Sequence, residues 1–224
     1  MNIVIIGLGG IGSILCERLA RYLTYSAEDG VSLLLVDGDS YEQKNFDRQD
    51  FTRMGNKAEV KASDLKMQFP RLNVNSFPAF VNNTNLAQVI VENSIVFLCV
   101  DNHKTRMLVS NYSNKLKDVT LISGGNDLID GNVQIYIRKN SKDITPDLCA
   151  YHPEISNPND KLPEEMSCEE LAKSEPQLYF TNLGVATIMC WAFYNVVVKG
   201  QYEKSEIYFD ITKMASNAKV RIVK

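Results

Sequence analysis

Hydrophobic residues follow two alternating rhythms along the chain. Asn2–Ile6 is a short, almost unbroken apolar run that stops at a glycine cluster. Ile11, Ile14, Leu15, Leu19 and Leu23 then recur at helical spacing, predicting a helix over Ile11–Leu23. Val31–Val36 is continuous again and ends in Asp37. Strand, glycine turn, helix and strand make a βαβ unit. Unbroken hydrophobicity is what strands covered on both faces of a parallel sheet require.

The alternation continues. The pattern predicts a helix over Lys57–Phe69, an edge strand within Asn73–Val81 and a short helix over Leu86–Glu92. A buried strand follows over Ile95–Val100, ending at Asp101, then a helix over Thr105–Lys117 and strands over Val119–Ser123 and Val133–Arg138. The later strands are expected to be antiparallel. Lys139–Pro176 breaks the rhythm: it is rich in Pro, Asp, Asn, Glu and Lys, and reads as a long functional loop without regular elements. Leu178–Val198 is a strongly apolar helix, followed by strands over Glu206–Ile211 and Lys219–Val223. The expectation is one α/β domain over residues 1–224. It is Rossmann-like, with a mostly parallel sheet, helices on both faces and a crossover loop at about 139–176.

Composition narrows the classes. The chain has 224 residues, 45% hydrophobic and 23% charged, with a net charge of −3. That balance gives no reason to expect nucleic acid or a membrane surface as partner. The longest apolar stretch, Gly184–Val198, is short for a span and reads as a buried helix. Cys16, Cys99, Cys149, Cys168 and Cys190 are an odd number at wide spacing, which suits a reducing compartment. Met1–Ile6 leads straight into a strand without a charged leader, so the expected location is cytoplasmic.

Gly7-Leu8-Gly9-Gly10-Ile11-Gly12 matches G-x-G-x-x-G between a strand and a helix. Glycines permit the tight turn and close backbone approach, and the helix N-terminus offers N–H groups to a phosphate. Asp37 stands where an acid holds a ribose hydroxyl. To this point an NAD(P)-dependent oxidoreductase explains the pattern equally well.

The run after Asp37 separates the readings. Asp37, Asp39, Asn45, Arg48 and Gln49 crowd a polar stretch, and Lys57 and Lys61 follow beyond Gly55. Arginine and lysine beside a phosphate loop suit a triphosphate, whose charge must be neutralised at the reacting phosphorus. The Gly-Leu-Gly-Gly-Ile-Gly loop, D-x-D-x(5)-N-x-x-R-Q from Asp37 to Gln49, Gly55…Lys57, and Cys99-Val-Asp101-Asn102…Arg106 occur in this order. In these four blocks the chain resembles the ThiF/MoeB/HesA adenylyltransferases and the adenylation domains of ubiquitin-activating enzymes.

The resemblance implies an ATP-dependent adenylyltransferase. It would activate the C-terminal carboxylate of a ubiquitin-like or sulfur-carrier protein. Gly7, Gly9, Gly10 and Gly12 would cradle the nucleotide and Asp37 would hold the ribose. Asn45 and Arg48 would contact phosphates, and Lys57 would neutralise the transferring group. Asp101 would bind Mg²⁺ bridging the ATP phosphates. Asp39 and Gln49 would either contact the nucleotide or only brace and pack the loop. Lys61 competes with Lys57, and the Gly-x-Lys spacing favours Lys57. Asn102 would face the nucleotide or cap the helix after it.

The late cysteines carry less. Cys149 and His152 fall where many family members have the first pair of a zinc site, but no second pair follows, so zinc is not expected. Cys168, on the polar loop, is the candidate nucleophile to take the activated carboxylate, or else a free loop cysteine. Glu164, Glu165, Glu169 and Glu170 around it disfavour the thiolate. Gln177 and Asn182 would cap the apolar helix or bind a substrate tail. Family members usually carry an N-terminal segment with an arginine directed at the triphosphate, often across a homodimer. This sequence begins on the first strand, so a homodimeric or related partner chain would supply that arginine, or Arg18, Arg21 or Arg53 would replace it, or catalysis would be weak. The alternative within the family is a non-catalytic scaffold subunit.

Overall fold

The computed structural model describes every residue except 27–29, 48, 50, 167–176 and 224. In chain order it runs β1 (Asn2–Ile6), α1 (Gly10–Ser26), β2 (Ser32–Val36), β3 (Ser40–Tyr41), β4 (Gly55–Asn56) and α2 (Lys57–Gln68). Then come β5 (Asn73–Phe77), α3 (Leu86–Val89), β6 (Ser94–Leu98), α4 (His103–Ser113), β7 (Val119–Asn126), β8 (Asp130–Lys139) and β9 (Lys142–Asp143). The chain ends with α5 (Pro153–Ser156), α6 (Tyr179–Phe193), β10 (Glu206–Asp210) and β11 (Ala215–Lys219). A π-helical turn, Tyr194–Val198, continues α6.

The sheet order is β11-β10-β8-β7-β6-β1-β2-β5, with β9 on β8. β1 pairs in parallel with both β2 and β6, and β5 and β7 extend the parallel set. β8, β10 and β11 are antiparallel. The fold is the expected Rossmann-like one. Strand order reverses around β1, and crevices of open α/β sheets form at the carboxyl ends of the strands at such a point.

Alternate residues of β1 feed two cores. Ile3 and Ile5 join α1, α2 and α6 on one face, while Val4 and Ile6 join α3, α4 and α5 on the other. All five residues of β6 are buried. This double coverage is the physical reason these strands read as unbroken apolar runs.

Two expectations need correction. The last strand is Ala215–Lys219, not Lys219–Val223. It is exposed throughout and held by its antiparallel register with β10, whereas Val220 and Ile222 lie outside the sheet and face solvent. The Lys139–Pro176 segment also contains regular pieces: β9, α5 and a 3₁₀ turn at Pro163–Glu165. It is anchored by the buried side chains of Thr145, Leu148 and Ile155. Thr145 Oγ1 accepts from Ile137 N (2.8 Å) and donates to Ile135 O (2.7 Å).

Candidate nucleotide site

The carboxyl ends of β1, β2 and β6 converge, and each carries one of the sequence blocks. After β1 the chain turns at Gly7 with φ +88°, in the left-handed region that favours glycine. A Cβ at Gly12 would stand 1.9 Å from Gly7 O, so α1 can start this close to β1 only with glycine there. A Cβ at Gly10 would meet Asn182 Nδ2 at 2.1 Å and Gln177 Oε1 at 2.9 Å. Gly9 faces Gln49, whose Nε2 is 3.8 Å from the place of such a Cβ. The loop is thus hemmed by three side-chain amides.

Asp37, at the end of β2, is buried. Its Oδ2 accepts from Leu8 N (2.6 Å) and its Oδ1 from Asp39 N (2.8 Å), which locks the acid onto the glycine loop. Burial pushes its carboxyl up to about 6, against the pull of Lys57 and the two backbone N–H groups. Each oxygen of such a carboxylate keeps acceptor capacity for a hydroxyl.

The structure separates the two lysines. Lys57 is buried and places Nζ 3.2 Å from Asp39 Oδ2, facing the acidic pair. Lys61, one helical turn on, is paired with Glu17 of α1 and lies over the Phe51 ring. Asn56 orients Lys57, a role the sequence reading missed. Its Nδ2 donates to Asp37 O (3.0 Å) and Asp39 O (3.1 Å). Its Oδ1 caps α2 by accepting from Ala58 N and Glu59 N. Asparagine before a helical pattern is the signal that could have found it.

Asn45 is buried in a 3₁₀ turn, its Oδ1 accepting from Glu42 N (3.1 Å). Gln49 is buried too, and its Oε1 has no hydrogen-bond partner among the described residues. Asn182 Oδ1 is in the same state on the other side of the loop. Buried, unsatisfied amide oxygens are costly, and two of them flanking a glycine loop fit an absent polar ligand. Asn182 does not cap α6: it donates to Gln177 Oε1 (3.3 Å) and packs on Gly10. Arg48 lies outside the described residues, as does Cys168.

At the end of β6, Asp101 is exposed. A single open carboxylate suits Mg²⁺, which keeps several waters and takes phosphate oxygens for the rest. Asn102 caps α4, its Oδ1 accepting from Thr105 N (2.8 Å). Asp160 of the crossover segment accepts from His103 N and Lys104 N at the same helix end. Arg106, named in the sequence only as part of a motif, is buried. It donates to Ser123 Oγ (2.7 Å), Val100 O (2.5 Å) and Gly124 O (2.8 Å). It therefore ties the strand end bearing Asp101 to β7.

His152 turns both ring nitrogens to carboxylates, Glu154 at 2.8 Å and Glu206 at 2.7 Å. Arg221 Nε and Tyr208 OH also donate to Glu206. Burial opposes ionisation of Glu206, but these donors outweigh it and hold the carboxyl at about 2. Burial pushes the Cys16 thiol up to about 12 and that of Cys190 to about 11, and raises Cys99 and Cys149 as well.

A cavity of about 550 Å³ lies beside the loop, lined by Tyr41, Phe46, Gln49, Phe51, Arg53 and Tyr179 among others. Arg53 is turned to Asp64, with Nη1 3.4 Å from Oδ1.

The ThiF family profile matches residues 1–219. The "Adenylyltransferase and sulfurtransferase UBA4" of Saccharomyces cerevisiae is 28% identical over 174 residues, 75% of this chain and 36% of that protein. The "Molybdopterin-synthase adenylyltransferase" of Haemophilus influenzae is 30% identical over 140 residues, 60% of this chain and 54% of that protein. The chain thus spans between a third and somewhat over half of the length of these relatives. Among solved structures, E. coli MccB with ATP superposes at a TM-score of 0.74 and 17% identity, covering 98% of this chain and 63% of that one. The fold is shared with MccB, the relatives by sequence are named adenylyltransferases, and the chain belongs to the ThiF family.

Proposed function

We propose that this chain is an ATP-dependent adenylyltransferase that activates the C-terminal carboxylate of a ubiquitin-like or sulfur-carrier protein. The observation that carries the reading is the convergence of the glycine loop with Asp37 bound to it, the Asp39–Lys57 pair and Asp101 at one sheet edge. A dinucleotide site has no use for the buried Lys57 or for Asp101 beyond β6.

In this reading the backbone of Gly7–Gly12 receives the nucleotide and Asp37 accepts from its ribose hydroxyls. Asn45, Arg48 and Gln49 line the phosphates, and Asn102 holds the α4 end in place beside them. Lys57, held by Asp39 and Asn56, stabilises charge on the transferring phosphoryl group. Asp101 would hold the Mg²⁺ that neutralises phosphate oxygens. The incoming carboxylate attacks the α-phosphorus, an oxygen–phosphorus bond forms, the α–β bridge breaks and pyrophosphate leaves. No general base is needed, because a carboxylate is already ionised at neutral pH. A thiol, either Cys168 or one on another protein, then takes the acyl group as AMP departs. Among the described residues, Lys57 is the cation turned to the Asp37–Asp39 pair, so Arg48 or a second chain would complete the charge around a triphosphate.

ATP–pyrophosphate exchange with a panel of ubiquitin-like and sulfur-carrier proteins tests this. The expected result is exchange that depends on a free C-terminal carboxylate. ATP binding without exchange for any carrier would leave a scaffold role instead, and nicotinamide binding without ATP binding would make the chain an oxidoreductase.

A further inference from the structure

The outer flank of α1 carries Arg18, Arg21, Tyr22 and Tyr25, whose spacing puts them in one stripe along the helix. α6 borders this stripe. The Tyr22 ring meets Phe193 and Tyr194 edge-on at 5.9 and 6.4 Å, and Arg18 is close enough to Cys190 to act on its thiol. The end of α2 borders it too. Arg21 lies 5.6 Å over the Phe69 ring, and Tyr25 meets that ring edge-on at 6.5 Å. Three helices thus share one surface, and rings stand open on it. Tyr25 is 70% exposed, Trp191 61% and Tyr194 43%, with Lys199 over the Tyr194 ring at 5.4 Å.

The charge on this surface is of one sign. Arg18, Arg21, Lys199 and Arg71, two residues beyond Phe69, are exposed, and none has an acid partner among the described residues. No Asp or Glu occurs in 18–26, 65–72 or 178–202, while Glu28 and Asp29 lie outside the described residues. Elsewhere Arg53, Lys57, Lys61, Lys104, Arg138 and Arg221 each face an acid. A net charge of −3 therefore conceals a segregated basic patch. The ordinary reasons for such cations cover little of it. Lys199 follows a helix end and offsets its dipole, but α1 has no basic residue in its last turn. Arg18 and Arg21 stand about 12 and 16 Å along α1 from Gly10, which carries both away from the glycine loop.

We propose that this surface binds single-stranded nucleic acid, with bases stacked on the open rings and phosphates on the four cations. Single-strand sites combine a positively charged track with aromatic side chains, because every base offers a π-face. Arginine suits the phosphates, since its planar fork takes two oxygens at once. A duplex fits less well, because its bases are already stacked on one another. An anionic lipid surface is the competing partner, and Tyr179–Val198 is long and apolar enough to cross a membrane. Half of that helix is buried in the fold, however, and Arg21 and Lys199 lie over rings instead of rimming an aliphatic face. Binding here does not depend on adenylation.

Trp191 is the only tryptophan of the chain, so its fluorescence reports from this surface. The test titrates the full chain at low salt with oligo(dT) and oligo(U) of about 12 nucleotides, and separately with heparin, a polyanion without bases. The expected result is saturable quenching by the oligonucleotides and none by heparin. Affinity should fall with added salt, at a log–log slope of about −3 for four phosphate contacts. Replacing Arg18 and Arg21 together by glutamine should weaken binding about tenfold or more, and Tyr25→Ala about fivefold or more. All three positions are exposed, so melting curves should not move. Saturating ATP should leave the quenching unchanged. Absence of quenching by either oligonucleotide overturns the proposal. Equal quenching by heparin overturns it by reducing the contact to charge alone, and competition by ATP does so by placing the strand on the glycine loop. Quenching by phosphatidylserine vesicles, with none by oligonucleotides, would assign the surface to a membrane and overturn it as well.

Discussion

Replacing Lys57 with methionine, beside the same change at Lys61, tests the site most directly, because the two lysines are four residues apart and do different work. Lys57 Nζ is 3.2 Å from Asp39 Oδ2 and lowers the carboxyl of Asp37, which burial nonetheless holds at about 6. At pH 7 such a group is roughly nine-tenths ionised. Without Lys57 its value climbs further, and a rise of about one unit would leave it roughly half protonated at pH 7. A protonated Asp37 no longer offers the ribose a charged acceptor, a bond worth about 1.5–3 kcal/mol. The transferring phosphoryl group also loses a fixed cation, typically about 10²–10³ in rate.

The assay is ATP–pyrophosphate exchange together with ATP affinity, both measured against pH. In the wild type, affinity should fall as pH drops through about 6, where Asp37 takes up its proton. In Lys57→Met the fall should begin at higher pH, and exchange should drop by about two to three orders of magnitude. Lys61→Met should behave otherwise. It breaks the pair with Glu17 and the contact over Phe51, lowering stability by about 1.5–3 kcal/mol while ATP affinity holds. Unchanged exchange and an unchanged pH midpoint in Lys57→Met would refute the reasoning. Equal losses of affinity in both variants would refute it too, since the lysines would then not be separated by partner.

Two further predictions concern the frame of the site. Gly12→Ala places a Cβ 1.9 Å from Gly7 O, a backbone atom that cannot turn aside. Stability should fall by about 3 kcal/mol or more with loss of nucleotide binding, and an unchanged urea midpoint would count against this geometry. Glu206→Gln removes the carboxylate that ties His152 to Arg221 and Tyr208. Glu206 is held at about 2, below its ordinary value. Its contribution is therefore complete above the ordinary glutamate value and lost as pH falls toward about 2. His152 is raised, so its share is present below the ordinary histidine value and lost as pH rises through the raised one. The cost of Glu206→Gln, about 1.5–3 kcal/mol, should be greatest between those limits and shrink toward both extremes in pH-dependent melts. A pH-independent difference would mean that the network is not ionic.

What the sequence reveals about this protein follows from how each feature is held. β1, β2 and β6 are legible because burial on both faces writes itself into the residues as an unbroken apolar run. The glycine loop is legible because a Cβ at Gly12 would fall 1.9 Å from Gly7 O, which leaves no other residue possible there. β11 is not legible: every residue in it is exposed, and it exists through backbone pairing with β10, which places no demand on side chains. Charged residues are legible as types but not as partners. Lys57 and Lys61 look alike until Glu17, far away in the chain, claims one and Asp39 the other. Arg106 is legible only as the end of a motif, and its burial among three neutral oxygens of Ser123, Val100 and Gly124 is not. Long-range electrostatic assignment is thus where a sequence reading of such a site stops. It is also where variants of otherwise similar residues separate catalysis from structure, because two buried lysines one turn apart share every local property except the acid each one faces.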